Sequence, residues 1–131
     1  SPAEVVGHQI YAIINKLKVP ESKTIEQGVR AMICTVAAKE PWWSQIKSCN
    51  YLQNVLMKQE VLAKGYDFGI SVDGSGRLCE GSTENLMILT KERELRVPRF
   101  DYTLRGTTMM VVMKIADQFK ERAFVINIVN Q

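Results

Sequence analysis

The sequence predicts an α+β fold, a mixed sheet with flanking helices, and three observations point to it. Residues 50–64 and 106–122 repeat apolar side chains at helical spacing. Residues 68–80 and 85–97 each place two short apolar runs around turn-forming residues, as hairpins do. A chain of 131 residues, 46% of them hydrophobic, can bury one core, so a single domain is expected.

The first third of the chain has the least regular pattern. Residues 3–17 fit an amphipathic helix or, from residue 9, a strand, and periodicity alone does not decide between them. Residues 20–23 are predicted to form a turn, and residues 28–36 alternate well enough for a strand. Pro41 then breaks that strand and begins a short extended piece that leads to Lys47.

The middle of the chain predicts a helix followed by a hairpin. The apolar residues of 50–64 share one helical face, and Gly65 stands where a helix C-cap is expected. Residues 68–72 and 77–80 are predicted strands, and the tight turn 73–76 joins them. Glu80 therefore falls at the end of a hairpin strand.

The last third predicts a second hairpin, a helix and a final strand. Residues 85–89 and 94–97 pair around a charged turn, a helix opens at Gly106 and runs to about residue 122, and residues 124–129 form the last strand. A sheet built from these strands has open edges, which indicates that partner surfaces cover them.

Charge and hydropathy argue against nucleic acid and membrane partners. The net charge is only +3, and basic residues are interspersed with acidic ones. The adjacent Trp42 and Trp43, near Lys39 and Lys47, would suit single-stranded nucleic acid, but adjacent aromatics more often pack in cores or domain contacts. No apolar run approaches the roughly 18 to 20 residues of a membrane helix, so a soluble, cytoplasmic protein is expected.

The cysteines and the histidine predict no metal site. Cys34, Cys49 and Cys79 are widely spaced and odd in number, which favours buried small residues in a reducing compartment over disulfides or ligands. His8 is the single histidine of the chain, so a zinc ligand set is not expected.

Three segments have the residue types that chemistry needs, and the first contains Lys47. A lysine held partly desolvated between an extended piece and a helix loses its proton more easily and can then attack an aldehyde. A lysine ahead of a helix is more often a solvated surface residue, so this segment alone leaves its role open.

The second segment runs from Arg77 to Asn85 and contains Glu80. Gly81 and the small polar residues after it let the backbone approach a ligand, and a carboxylate there could keep a pyridine nitrogen protonated. An ordinary polar turn would have the same composition.

The third segment places Gly106, Thr107 and Thr108 at the start of a helix. Free backbone N–H groups and hydroxyls at a helix N-terminus form an anion site that suits a phosphate. A threonine N-cap without any ligand explains the segment equally well.

Together, the three segments resemble the class IV aminotransferases. The run KSCNYLQNVL at 47–56 is followed by EGSTEN at 80–85 and by LRGTT at 104–108, just ahead of a helix. This order and spacing, within residues 28–118, is similar to branched-chain aminotransferases, D-amino-acid aminotransferases and aminodeoxychorismate lyases. The resemblance implies part of the large pseudo-barrel domain of fold-type IV enzymes, with pyridoxal 5'-phosphate as the cofactor.

The resemblance also implies a role for each residue. Lys47 would form the Schiff base and move the proton between the substrate's α carbon and the cofactor's C4' carbon. Tyr51 would hydrogen-bond the phenolic oxygen of the cofactor, and Glu80 would pair with its pyridine nitrogen. Thr107 and Thr108 would hold the phosphate, although many relatives have Gly-Ile-Thr-Arg at this position.

The family's enzymes are longer than this chain. The resemblance therefore implies that residues 1–131 are an incomplete cofactor-binding (large) domain, with an N-terminal small domain and a C-terminal part absent. The implied reaction is amino transfer between an amino acid of the branched-chain or D type and a 2-oxo acid, by a homodimer. An aminodeoxychorismate lyase that uses the same Lys47, and a non-catalytic fragment acting only as a structural module, remain alternatives.

Overall fold

A computed structural model describes residues 7, 10–17 and 19–118, and these residues form four helices and four short strands. In chain order the elements are α1 (Ser22–Gln27), β1 (Ala31–Ile33), α2 (Pro41–Ser44), α3 (Leu52–Ala63), β2 (Phe68–Ile70), β3 (Ile88–Leu89), β4 (Leu95–Arg96) and α4 (Thr107–Gln118). Helices combine here with one parallel and one antiparallel pair of strands. The predicted α+β class is confirmed.

A strand, helix, strand unit forms the core. Strand β1 pairs in parallel with β2, and α3 connects them and packs on β2. Met57 and Val61 of α3 are buried together with Cys34, which follows β1. Gly69 of β2 allows this close packing, because a Cβ atom there would lie 2.6 Å from Val61 Cγ2. The predicted helix is confirmed. It ends before Gly65, whose backbone φ is 71°.

The hairpin that follows β2 leads to Glu80. The N–H of Ser71 donates to the carbonyl oxygen of Glu80 at 3.0 Å, and the N–H of Cys79 donates to that of Ser71 at 2.9 Å. At the turn, the Asp73 carboxylate accepts the backbone N–H groups of Ser75 and Arg77 at 2.8 and 2.9 Å. The predicted hairpin is present and fixes Glu80 against Ser71, but its strands are shorter than predicted. Strand β2 ends at Ile70, and residues 77–80 form only an isolated bridge, Leu78 with Val72, instead of a strand.

The second hairpin is also as predicted, although its strands are short. Strands β3 and β4 pair antiparallel, with Ile88 opposite Arg96 and Leu89 opposite Leu95. The helix predicted from Gly106 is present as α4, and its described part runs to Gln118.

Several local predictions for the first half of the chain are wrong. Helix α1 begins at Ser22, inside the predicted turn. Helix α2 replaces the predicted extended piece, because the fixed φ of Pro41 suits the first position of a helix. The strand predicted at 28–36 is reduced to β1, since only those residues pair with β2 in register. Residues 10–17 form neither a helix nor a strand.

Some predictions fall outside the described residues. His8, residues 3–6 and 9, the helix beyond Gln118 and the strand at 124–129 are among them. Among the residues that are described, no helix has the length and apolar character needed to cross a membrane. Cys34 and Cys79 are buried as predicted, whereas Cys49 is exposed and that prediction is wrong.

Candidate active site

Lys47 lies in the loop between α2 and α3. The hydroxyl of Ser44, the last residue of α2, donates to the carbonyl oxygen of Asp101 at 2.6 Å and so anchors the start of this loop. Lys47 Nζ donates to the Tyr51 hydroxyl at 2.7 Å and lies 5.4 Å from the centre of its ring. The Lys47 residue is exposed, so the partial desolvation predicted for it is not observed.

Glu80 is a largely buried charged group, with 14% of its side chain exposed. Its Oε2 atom accepts the backbone N–H of Leu104 at 2.8 Å, and its Oε1 atom lies 3.9 Å from Lys39 Nζ. Burial raises the pKa of the Glu80 carboxyl above its ordinary value, although the Leu104 N–H and the charges of Lys39 and Lys47 pull it down. The carboxylate is therefore only partly compensated.

Lys47, Tyr51 and Glu80 line one cavity. Residues 81–85 form another part of its wall, and Gly106 closes the side nearest α4. An amine, a phenol and a partly compensated carboxylate thus face the same space, although their positions in the sequence are up to 33 residues apart.

Thr107 and Thr108 lie outside that cavity and line a neighbouring one. The two cavities share Gly106 and residues 83–85 as a common wall. The carbonyl oxygen of Gly106 accepts the N–H of Met110 at 3.0 Å, so the N–H groups of the first turn of α4 have no partner within the helix. Of the five predicted site residues, the structure brings three together and places two beside them.

Asn85 holds the start of α4 in place. Its side-chain amide donates to the carbonyl oxygen of Leu104 at 2.9 Å. A Cβ atom on Gly106 would overlap Asn85 Oδ1, so only glycine lets the backbone come this close. Asn85 and Gly106 therefore lie close together in the wall that the two cavities share.

The donor set fits pyridoxal phosphate. The Lys47 amine suits an aldehyde, the Tyr51 hydroxyl suits a phenolic oxygen, and the Glu80 carboxylate suits a protonated ring nitrogen. The N–H groups of the first turn of α4, which have no partner within the helix, suit a phosphate.

Lys39 and Asn54 are among the polar residues of the cavity wall that were not predicted as site residues. Lys39 faces Glu80, and no local pattern relates positions 39 and 80. Asn54 is buried, with 8% of its surface exposed, and its amide donates to the carbonyl oxygen of Ser82. A signal existed for Asn54, because Lys47, Tyr51 and Asn54 are spaced i, i+4, i+7 as on one helical face.

Comparisons with known proteins show the family of the chain. The family model for amino-transferase class IV matches residues 3–129. A chloroplastic D-amino-acid transaminase of Arabidopsis thaliana is 34% identical over 119 residues, which are 90% of this chain and 31% of the plant protein.

Solved structures share the fold. The branched-chain amino acid aminotransferase of Escherichia coli superposes with a TM-score of 0.67 at 30% identity, over 77% of this chain and 34% of that one. A putative 4-amino-4-deoxychorismate lyase of Legionella pneumophila has a TM-score of 0.65 at 24% identity, over 76% and 37% of the two chains, and this likeness concerns the fold alone. The chain spans about a third of the length of the known proteins it matches.

Proposed function

The chain belongs to the class IV aminotransferases, a family of pyridoxal-phosphate-dependent enzymes, and on that premise we propose that it forms the cofactor-binding part of an aminotransferase. The reaction moves an amino group between an amino acid and a 2-oxo acid. The observation that carries the proposal is the single cavity that Lys47 and Glu80 line together.

Lys47 is the proposed nucleophile and proton carrier. Its amine would hold the cofactor through the aldehyde carbon and, once the substrate's amine has displaced it, would move the proton from the substrate's α carbon to the cofactor's C4' carbon. The hydrogen bond of 2.7 Å to the Tyr51 hydroxyl supports this role, because it fixes the amine at one place in the cavity wall.

Glu80 is the proposed partner of the ring nitrogen. Burial leaves its carboxylate short of compensating charge, and a protonated ring nitrogen would supply that charge. When bound, pyridoxal phosphate acts as an electron sink for the negative charge at the substrate's α carbon. By keeping the ring nitrogen protonated, Glu80 strengthens this effect.

Thr107 and Thr108 are the proposed phosphate ligands. Their backbone N–H groups lie in the first turn of α4, where the helix dipole favours an anion. Their cavity adjoins that of Lys47 and Glu80 across Asn85 and Gly106, so one extended ligand could reach both.

The proposed substrates are amino acids of the branched-chain or D type, because relatives with both names match this chain. We also propose that the protein is a homodimer and that it is located in the cytoplasm. Assays with the D and L forms of leucine and alanine, each with a 2-oxo acid, would separate the two substrate types. Light scattering of the purified protein tests the dimer.

The deciding experiment is a visible absorbance spectrum of the purified protein with added pyridoxal phosphate, before and after borohydride, followed by mass spectrometry. We expect a band that borohydride bleaches and the cofactor mass on the peptide containing Lys47. Lys47→Ala should lose both, whereas Lys91→Ala, in an exposed turn, should keep them. A folded protein with no bound cofactor would contradict the proposal and favour the structural module.

An aminodeoxychorismate lyase is the second candidate function. The shared fold with a putative lyase supports it, and both reactions need the same lysine. Release of pyruvate from aminodeoxychorismate, without amino transfer to any 2-oxo acid, would favour the lyase over the aminotransferase.

A further inference from the structure

A small second cavity adjoins the Lys47 cavity, between helix α3 and the hairpin segment that contains Ser71 and Glu80. Its volume is about 10 Å³. The residues that line both cavities are Lys39, Asn54, Glu80 and Gly81, and those that line only the small one are Ala37, Gln53, Met57 and Ser71. One side of Glu80 therefore faces the small cavity.

Two buried side-chain oxygens of this wall, Gln53 Oε1 and Asn54 Oδ1, have no hydrogen-bond donor among the described residues. The amide nitrogen of Gln53 donates to the carbonyl oxygen of Ala37, and that of Asn54 donates to the carbonyl oxygen of Ser82. Because a carbonyl oxygen only accepts, neither amide can be flipped to satisfy its oxygen. Both oxygens require a donor that the described part of the chain does not provide.

We propose that this cavity holds one buried water molecule, which donates one hydrogen bond to Gln53 Oε1 and one to Asn54 Oδ1. We also assign Asn54 as a positioning residue that ties the Ser82 peptide, and through it Glu80, to helix α3. A water molecule has two donors, which matches the two unsatisfied acceptors. It needs roughly 10–15 Å³ and two to four polar partners.

The cavity meets both requirements. Its volume lies at the lower end of that range, and the two unsatisfied oxygens belong to residues of its wall. The water itself does not depend on the proposed function. The positioning role of Asn54 rests on the proposed function, because that role concerns how Glu80 contacts the cofactor.

Three variants separate the water from the positioning role. Asn54→Leu removes the acceptor for the water and the donor to Ser82. Asn54→Asp keeps an acceptor but loses the donor, and Gln53→Leu removes the other acceptor while the Ser82 contact remains. Gln59→Leu, on an exposed part of α3, is the matched control.

The water is tested in the cofactor-free protein by NMR cross-relaxation between a long-lived water and the side-chain amide protons of residues 53 and 54. We expect the signal in the parent protein and in Gln59→Leu, and its loss in Gln53→Leu on a folded background. A folded parent protein without the signal would overturn the water. Should Asn54→Leu fail to fold, Gln53→Leu still decides.

The positioning role is tested by the dissociation constant of pyridoxal phosphate, measured by absorbance titration. Loss of one hydrogen bond predicts about tenfold weaker binding in Asn54→Asp, and less than about threefold in Gln53→Leu. Parent-like binding by Asn54→Asp would overturn the role. A parent protein that binds no cofactor would overturn both this role and the proposed function, while the NMR signal would still decide on the water.

Discussion

The Glu80 carboxylate accepts the backbone N–H of Leu104 at 2.8 Å, while the Asn85 side chain donates to the carbonyl oxygen of the same residue at 2.9 Å. The loop 80–85 therefore hydrogen-bonds both the N–H and the carbonyl group of Leu104, two residues before Gly106. Because helix α4 begins at Thr107, these two hydrogen bonds set the distance between Glu80, the proposed ring-nitrogen partner, and the proposed phosphate site at the start of α4.

Glu80 should make stability depend on pH in the cofactor-free protein. Burial raises its pKa in the folded state, so the stability it contributes is full below the unfolded pKa, about 4.3, and is lost as pH rises through the folded pKa. Glu80→Gln keeps an oxygen for the Leu104 N–H but has no charge. We expect this variant to lose that fall in unfolding free energy and to be at least as stable as the parent at neutral pH.

Urea unfolding at a series of pH values, from mildly acidic to neutral, measures this difference. Glu92→Gln, in the exposed turn before β4, serves as the control and should keep the pH dependence of the parent. If Glu80→Gln also kept it, the carboxyl of Glu80 would not be the titrating group.

Gly106→Ala should destabilise the protein and weaken phosphate binding. The new Cβ atom would overlap Asn85 Oδ1, and overpacking of this kind costs typically about 1–3 kcal/mol. Gly74→Ala is the matched control, since a Cβ atom there meets nothing within 4 Å. Thermal unfolding compares the two, and equal stability would show that the Asn85 contact does not constrain Gly106.

Local signals predicted much of the fold, because the physics that decides those elements is local. Helix α3 follows from its apolar spacing and from Gly65, whose φ of 71° favours glycine. The Glu80 hairpin follows from the turn at Asp73, whose carboxylate binds the N–H groups of its own turn. Helix α2 has four residues, too few for periodicity to distinguish it from an extended piece.

The sequence predicted those site residues that belong to a short motif, whose members are near one another along the chain. Lys47 and Tyr51 are four residues apart, so a turn of backbone brings them into contact. The approach of Lys39 to Glu80 depends instead on how the segment after β1 packs beside the hairpin, which is a long-range feature. The buried oxygen of Asn54 likewise depends on the position of Ser82, 28 residues away.

Tyr51→Phe should weaken cofactor binding without preventing the bond to Lys47. The variant loses the hydroxyl that accepts the hydrogen bond from Lys47 Nζ, and loss of one such bond corresponds to roughly tenfold in the dissociation constant. Tyr66→Phe removes a hydroxyl outside the cavity and should bind as the parent does. Absorbance titration gives both constants, and parent-like binding by Tyr51→Phe would exclude its hydroxyl from the site.

The three cysteines should differ sharply in reactivity toward a disulfide reagent such as DTNB at mildly alkaline pH. Burial raises the pKa of Cys79 to about 11, with the charge of Asp73 adding to the effect, and burial also raises the pKa of Cys34. The reactive form is the thiolate, so both should react slowly, whereas the exposed Cys49 should react fast. One fast thiol per folded chain is therefore expected, and three after unfolding.

Cys49→Ser should remove the fast phase and leave the slow ones unchanged. If a fast phase persisted in this variant, Cys34 or Cys79 would be accessible. The packing of α3 against β2 that encloses Cys34, or the hairpin that encloses Cys79, would then open more readily than their burial implies.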